Sequence, residues 1–85
     1  MQYLVIVEKA ENNYAAFSPD VPGCVDTGAT VEENLNEMRY ALEFHLEGLD
    51  QLPQPKGLRY YIDKGDLLHE PEALFTELQL PRLAA

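Results

Sequence analysis

Residues 30–48 constrain the fold of this chain more than any other segment. Thr30 and Glu33 fit a capping box, in which a hydroxyl accepts a hydrogen bond from a first-turn amide and a carboxylate reaches back. Apolar side chains then recur every three or four residues, at Val31, Leu35, Met38, Leu42, Leu46 and Leu49. This pattern predicts an amphipathic helix that ends near Gly48 and packs one face against a core.

Three short strands are predicted before this helix and a fourth after it. Residues 2–9 have apolar side chains on both faces, which is typical of a central strand that is covered on both sides. Asn12 and Asn13 favour a turn, so residues 14–18 should form a hairpin with the first strand. The other two strands are expected at residues 24–28 and 73–80.

The chain between the helix and the last strand is less regular. Residues 50–57 contain two prolines and a glycine, which predict a loop. Residues 58–68 suit either a strand or one to two turns of helix, and we expect Tyr60 and Tyr61 to pack this element onto the sheet.

The order of these elements predicts the fold class. We expect a single α+β domain over residues 1–85, with an antiparallel sheet of three or four strands and one main helix (β-β-β-α-β). Because one helix covers only one face of such a sheet, we expect a homodimer or homotetramer to cover the remaining apolar surface.

The net charge of −9 is concentrated in the helical segment, since residues 30–50 hold six acidic side chains and one basic one. Such a field repels phosphate, so we expect no direct binding of nucleic acid, whereas a basic protein would be attracted. The alternative is that the acidity only keeps a small protein soluble. No apolar run approaches the roughly 20 residues of a membrane helix, and no basic leader precedes the first strand. We therefore expect a cytoplasmic protein without membrane association.

The carboxylates that a metal-dependent nuclease could use are scattered along the sequence: Glu8, Asp20, Asp26 and Glu33. Glu33 is better explained as a helix cap, and Asp20 as a turn residue that binds nearby amides. We therefore expect no catalytic residues, no metal and no cofactor.

The cysteine and the histidines do not indicate a catalytic site either. Cys24 is the only cysteine, and we expect it to be a small apolar residue of the third strand. His45 should be a packed or boundary residue at the flank of the helix, and His69 falls in a loop.

The side of the helix opposite its apolar stripe is a candidate binding surface. A helical wheel places these residues there: Glu33, Glu37, Tyr40, Glu43, Phe44 and Glu47. Tyr40 and Phe44 are one turn apart, and an aromatic pair among carboxylates favours a protein-binding surface. The alternatives are that the C-terminal segment or a second copy of the chain covers the pair.

The segment FSPDVPGCVDTGATVEEN, from Phe17 to Asn34, resembles the signature of the HicB family. The resemblance is carried by seven positions, namely Phe17, Asp20, Pro22, Gly23, Thr27, Gly28 and Thr30. We expect these residues to have a structural role, in a bend before the third strand and at the start of the helix. Pro22 and Gly23 should form a tight bend, and Gly28 should let the chain turn into the capped helix. The resemblance extends over about residues 3–80.

This resemblance implies a degenerate, partial ribonuclease-H-like fold that has lost most of its catalytic apparatus. It also implies an antitoxin of a type II toxin–antitoxin system, which binds a basic HicA-like mRNA interferase and covers its active surface. Because four residues follow Pro81, we expect no C-terminal DNA-binding domain. Two other functions remain open, namely an orphan regulatory or structural oligomer of the same fold and a residual metal-dependent ribonuclease.

Overall fold

Four strands form one antiparallel sheet in the order β3-β2-β1-β4, in a computed structural model that describes residues 2–65 and 73–80. The elements along the chain are β1 (Gln2–Lys9), β2 (Tyr14–Phe17), β3 (Val25–Gly28), α1 (Val31–Glu47), α2 (Gly57–Lys64) and β4 (Leu74–Gln79). The predicted α+β class and the four strands are confirmed. The ambiguous segment is helical as far as Lys64, and residues 66–68 lie outside the described residues.

β1 is an inner strand whose two faces contact different helices. Tyr3, Val5 and Val7 belong to the larger core, which also contains the apolar side chains of α1. Leu4 and Ile6 lie on the other face and pack with Tyr61 of α2. The expectation that a single helix leaves one face of the sheet bare is therefore wrong. The structure does not need a second copy of the chain to bury Leu4 and Ile6.

Turns and long-range pairing fix the order of the strands. The amide of Ala10 donates a 2.8 Å hydrogen bond to the carbonyl oxygen of Asn13, which closes the predicted hairpin between β1 and β2. β4 pairs with the other edge of β1, from Gln2 opposite Gln79 to Val7 opposite Leu74. β3 and β4 are consequently the two outer strands of the sheet.

α1 begins with the predicted cap. Thr30 Oγ1 accepts a 3.1 Å hydrogen bond from the Glu33 amide, and Glu33 Oε2 accepts a 3.3 Å bond from the Ala29 amide. The helix ends at Glu47 and Gly48 is its C-cap, as predicted. Leu49 lies beyond the helix and is 41% exposed, so its place in the apolar stripe was wrong. His45 is exposed and not packed against the core, because it lies outside the buried face.

Candidate functional site

A groove of about 320 Å³ lies along the outer side of α1, and we call it the α1 groove. Its walls are formed by Asp26 of β3 and by residues of α1, namely Glu37, Tyr40, Ala41, Glu43, Phe44 and Glu47. Every residue of the predicted binding surface except Glu33 lines this groove. The carboxylate of Glu33 is engaged in the helix cap.

The two predicted aromatic residues of the α1 groove are open to solvent. Tyr40 is 67% exposed and Phe44 is 82% exposed, and one helical turn separates them. Within residues 2–65 and 73–80, no segment of the chain covers either ring. Large apolar surface that remains exposed on a small protein is typical of a contact with another molecule.

Glu43 differs from its prediction. The helical wheel placed it on the solvated side, but its side chain is only 5% exposed and lines the α1 groove. The reason is that α1 packs mainly on β3, so that Asp26 provides the facing wall. Among the described residues, none donates a hydrogen bond to the Glu43 carboxylate.

The α1 groove is strongly negative. Four carboxylates line it, at Asp26, Glu37, Glu43 and Glu47, and its described lining contains no lysine, arginine or histidine. Because like charges share a small volume, a cation that enters gains a favourable interaction with several of them. The arrangement can therefore bind a positively charged group, but it repels phosphate.

Asn34 joins the two walls of the groove, and it was not among the residues predicted from the sequence. It is fully buried on α1, and its Nδ2 donates a 3.1 Å hydrogen bond to the carbonyl oxygen of Asp26. A Cβ added at Gly28 would lie 2.7 Å from the backbone nitrogen of Asn34. Gly28 is thus required for close packing of β3 and α1 and does not need a positive φ. One feature of the sequence could have identified Asn34. It is a polar residue within the apolar stripe, three positions after Val31 and four before Met38.

Asp20 holds the bend before β3 against α2. Its Oδ1 accepts a 3.1 Å hydrogen bond from the Lys56 amide and a 2.6 Å bond from the Tyr61 hydroxyl. The prediction that Asp20 binds nearby amides is wrong, because both donors lie more than 35 residues further along the chain. Asp20 is buried, which makes these two bonds important for stability.

The other positions of the family-like segment also have structural contacts. The bend around Pro22 is closed by backbone hydrogen bonds from Val21 to Ser18 and from Cys24 to Val21, and Gly23 adopts a φ of 86°. Phe17 packs against the core cluster of Leu4 and Ile6. The amide of Thr27 donates a 2.8 Å hydrogen bond to Asp26 Oδ1. This segment positions the α1 groove and does not itself line it, apart from Asp26.

The carboxylates considered for a nuclease site do not form one cluster. Asp20 is bonded to α2 and Glu33 to the helix cap, while Glu8 lies on β1 and Asp26 on β3. In the described ranges, no group of three or more histidine, cysteine, aspartate or glutamate side chains could hold a metal ion.

The remaining predicted residues fall outside this surface. Cys24 is buried as expected but precedes β3 by one residue, and burial, followed by the charge of Asp26, raises the pKa of its thiol. Tyr61 packs onto the sheet as predicted, whereas Tyr60 is exposed beside the ammonium groups of Lys56 and Lys64. His69 lies outside the described residues.

No helix within the described residues is both long and apolar enough to cross a membrane.

Comparison with known sequences places the chain among bacterial antitoxin-like proteins. The family described as HicB_like antitoxin of bacterial toxin-antitoxin system matches residues 3–74. An uncharacterized 14.9 kDa protein of Haemophilus phage HP1 is 34% identical over 68 residues, which are 75% of this chain and 51% of that protein. A UPF0150 protein of Synechocystis sp. is 34% identical over 75 residues, 87% of either chain. The chain thus spans about half the length of the phage relative.

Solved structures share the fold. The N-terminal domain of the Burkholderia pseudomallei antitoxin HicB is similar with a TM-score of 0.73 and 21% identity, over 93% of this chain and 96% of that one. A chain of a HicA3–HicB3 toxin–antitoxin complex is similar with a TM-score of 0.73 and 26% identity, over the same shares of the two chains.

Proposed function

The chain belongs to the HicB-like antitoxin family of bacterial toxin–antitoxin systems, and from this membership we propose that it neutralises a basic HicA-like toxin. In this proposal the chain acts by binding and covers the active surface of an mRNA interferase. A similar chain occurs in a HicA3–HicB3 toxin–antitoxin complex, which supports a toxin as the partner. The single observation that carries the proposal is the α1 groove.

The chemistry of the α1 groove suits a basic protein. Tyr40 and Phe44 offer aromatic surface whose burial would stabilise a complex, and aromatic residues are enriched among those that dominate binding energy. The carboxylates around them, together with the net charge of −9, would steer a basic partner toward this face. The same charge disfavours direct contact between this chain and nucleic acid.

We propose that the chain is not an enzyme. The buried hydrogen bonds of Asp20 support this reading, because they assign a structural role to the most suggestive acid of the family-like segment. A residual ribonuclease would lose Mg²⁺-dependent RNA cleavage on Asp20→Ala or Glu8→Ala. Cleavage by the purified chain that disappears in both variants, while both remain folded, would favour that alternative.

The proposal also concerns the domain organisation, the oligomeric state and the cellular location of the protein. We propose a single domain over residues 1–85 that forms a homodimer or homotetramer in the cytoplasm. The outer strands β3 and β4 each have an edge that pairs with no other described strand, which gives self-association a possible route. Light scattering during size-exclusion chromatography measures the number of copies. A monomer at all concentrations would contradict the oligomer.

Binding is tested by mixing the purified chain with a small basic HicA-like protein. We expect a stable complex at moderate salt, inhibition of RNA cleavage by that protein, and weaker binding as the salt concentration rises. No complex together with undiminished cleavage would contradict the proposed function. An orphan oligomer would then be favoured if the chain still associated with itself.

A further inference from the structure

Glu43 is the residue of the α1 groove that solvent reaches least. Its side chain is 5% exposed, whereas Glu37 and Glu47 are exposed on the same helix. It lines the groove and receives no hydrogen bond from the described residues. A nearly buried carboxylate is thus directed into a cavity that opens to solvent.

A positively charged partner would stabilise such a carboxylate. Packing around the side chain limits its contact with water, and a paired cation or hydrogen bonds compensate an ionised carboxylate for water that it loses. The facing wall offers Asp26, which has the same charge. The described lining of the α1 groove supplies no cation, so a positively charged group that enters the groove meets only carboxylates and aromatic rings there.

We infer that the α1 groove binds one arginine side chain of the basic partner, with its guanidinium paired to Glu43 and its plane against Tyr40 or Phe44. This inference rests on the proposed function and specifies how the partner is recognised. A guanidinium is planar, pairs with a carboxylate through two parallel hydrogen bonds and stacks on aromatic rings, whereas an ammonium does not combine these properties.

The size and charge of the groove favour this occupant. A volume of about 320 Å³ is at the lower end of the roughly 300–1,000 Å³ of small-ligand pockets, so it fits a side chain and not a folded segment. A second copy of this chain is disfavoured, because each copy carries a net charge of −9 and the groove is itself acidic.

The inference is tested on the full chain by NMR, with ethylguanidinium as a mimic of arginine and n-butylammonium as a mimic of lysine at matched ionic strength. Ethylguanidinium should cause saturable shifts at Tyr40, Glu43 and Phe44. Glu43→Gln, which keeps the shape of the side chain, should weaken this binding about tenfold, because it removes a charge-assisted hydrogen bond. Glu77→Gln is the matched control, since Glu77 is exposed on β4 at the opposite edge of the sheet.

Several results would overturn the inference. These are the absence of saturable shifts, equal binding by the Glu43→Gln variant, and binding of n-butylammonium at least as tight as that of ethylguanidinium. Self-association of the chain that depends on Glu43 would assign the groove to a second copy instead.

The complex with the basic protein separates this inference from the proposed function. We expect Glu43→Gln to weaken that complex about tenfold and Glu77→Gln to leave it unchanged. A complex that Glu43→Gln does not weaken overturns the arginine site and leaves the proposed function standing. Failure of the wild-type chain to form any complex overturns both.

Discussion

The hydroxyl of Tyr61 donates a 2.6 Å hydrogen bond to Asp20 Oδ1 and thereby joins α2 to the bend that precedes β3. The same oxygen accepts a bond from the Lys56 amide at the start of α2. Asp20 thus links two segments that lie far apart in the sequence. Its place in the family-like segment has a structural explanation that does not involve metal or catalysis.

Removal of the Tyr61 hydroxyl should destabilise the protein. Tyr61→Phe leaves the buried Asp20 carboxylate without its shortest hydrogen bond, and a bond to a charged group contributes about 1.5–3 kcal/mol. We expect a loss of that size in the free energy of unfolding, measured with urea. Tyr60→Phe is the control, because Tyr60 is exposed and should change stability by less than about 0.5 kcal/mol. Equal effects of the two substitutions would contradict the role of Asp20.

Gly28→Ala should separate β3 from α1. The new methyl group would lie 2.7 Å from the backbone nitrogen of Asn34, and relief of this overlap should cost about 2 kcal/mol or more of unfolding free energy. Gly48→Ala is the matched control, because its nearest neighbour would be 3.8 Å away and its φ of −85° suits alanine. If both substitutions lowered the temperature of thermal unfolding equally, that result would argue against close packing at Gly28.

Tyr3 should make the protein sensitive to alkali. Burial, and then the charge of Asp20, raise the pKa of Tyr3 above its usual value. The folded state therefore keeps this proton at pH values where the unfolded chain has lost it. The contribution of the protonated Tyr3 side chain to the free energy of unfolding is complete below about pH 10, the usual pKa of tyrosine. It is lost as the pH rises through the higher pKa of the folded state. Urea unfolding from pH 8 to 11 measures the decline, and Tyr3→Phe should reduce its slope. A variant with an unchanged slope would contradict this assignment.

Cys24 should react slowly in the folded protein. Its thiol is buried, and burial raises its pKa, so little thiolate is available at neutral pH. A thiol reagent such as DTNB should label the native chain much more slowly than the chain in denaturant. Labelling at the same rate in both conditions would show that the Cys24 thiol is accessible to solvent in the folded protein.

Local patterns were sufficient to predict α1 and the strands. The cap formed by Thr30 and Glu33 and the spacing of the apolar residues defined the helix, while the apolar residues on both faces of residues 2–9 indicated an inner strand. The exposure of Tyr40 and Phe44 on the outer side of α1 was also predictable, since both lie where the helical wheel placed them.

Long-range contacts were not predictable from the same patterns. The donors to Asp20 are separated from it by 36 and 41 residues, so no local motif reveals them. Tyr61 anchors α2 on the sheet, and this tertiary contact decides the structure of a segment whose residues also suit a strand. A helical wheel treats a helix in isolation, and for this reason it could not indicate that β3 buries Glu43.

The proposed toxin-binding surface is tested most directly by calorimetry with a small basic HicA-like protein. Tyr40→Ala combined with Phe44→Ala should weaken binding at least about 100-fold, because the two rings together are expected to contribute about 3 kcal/mol or more to the binding free energy. The fold should remain intact, since both rings are exposed. Tyr60→Ala, which removes an exposed ring of α2, should leave the affinity unchanged. A folded double variant that binds the toxin as tightly as the wild-type chain would contradict the account.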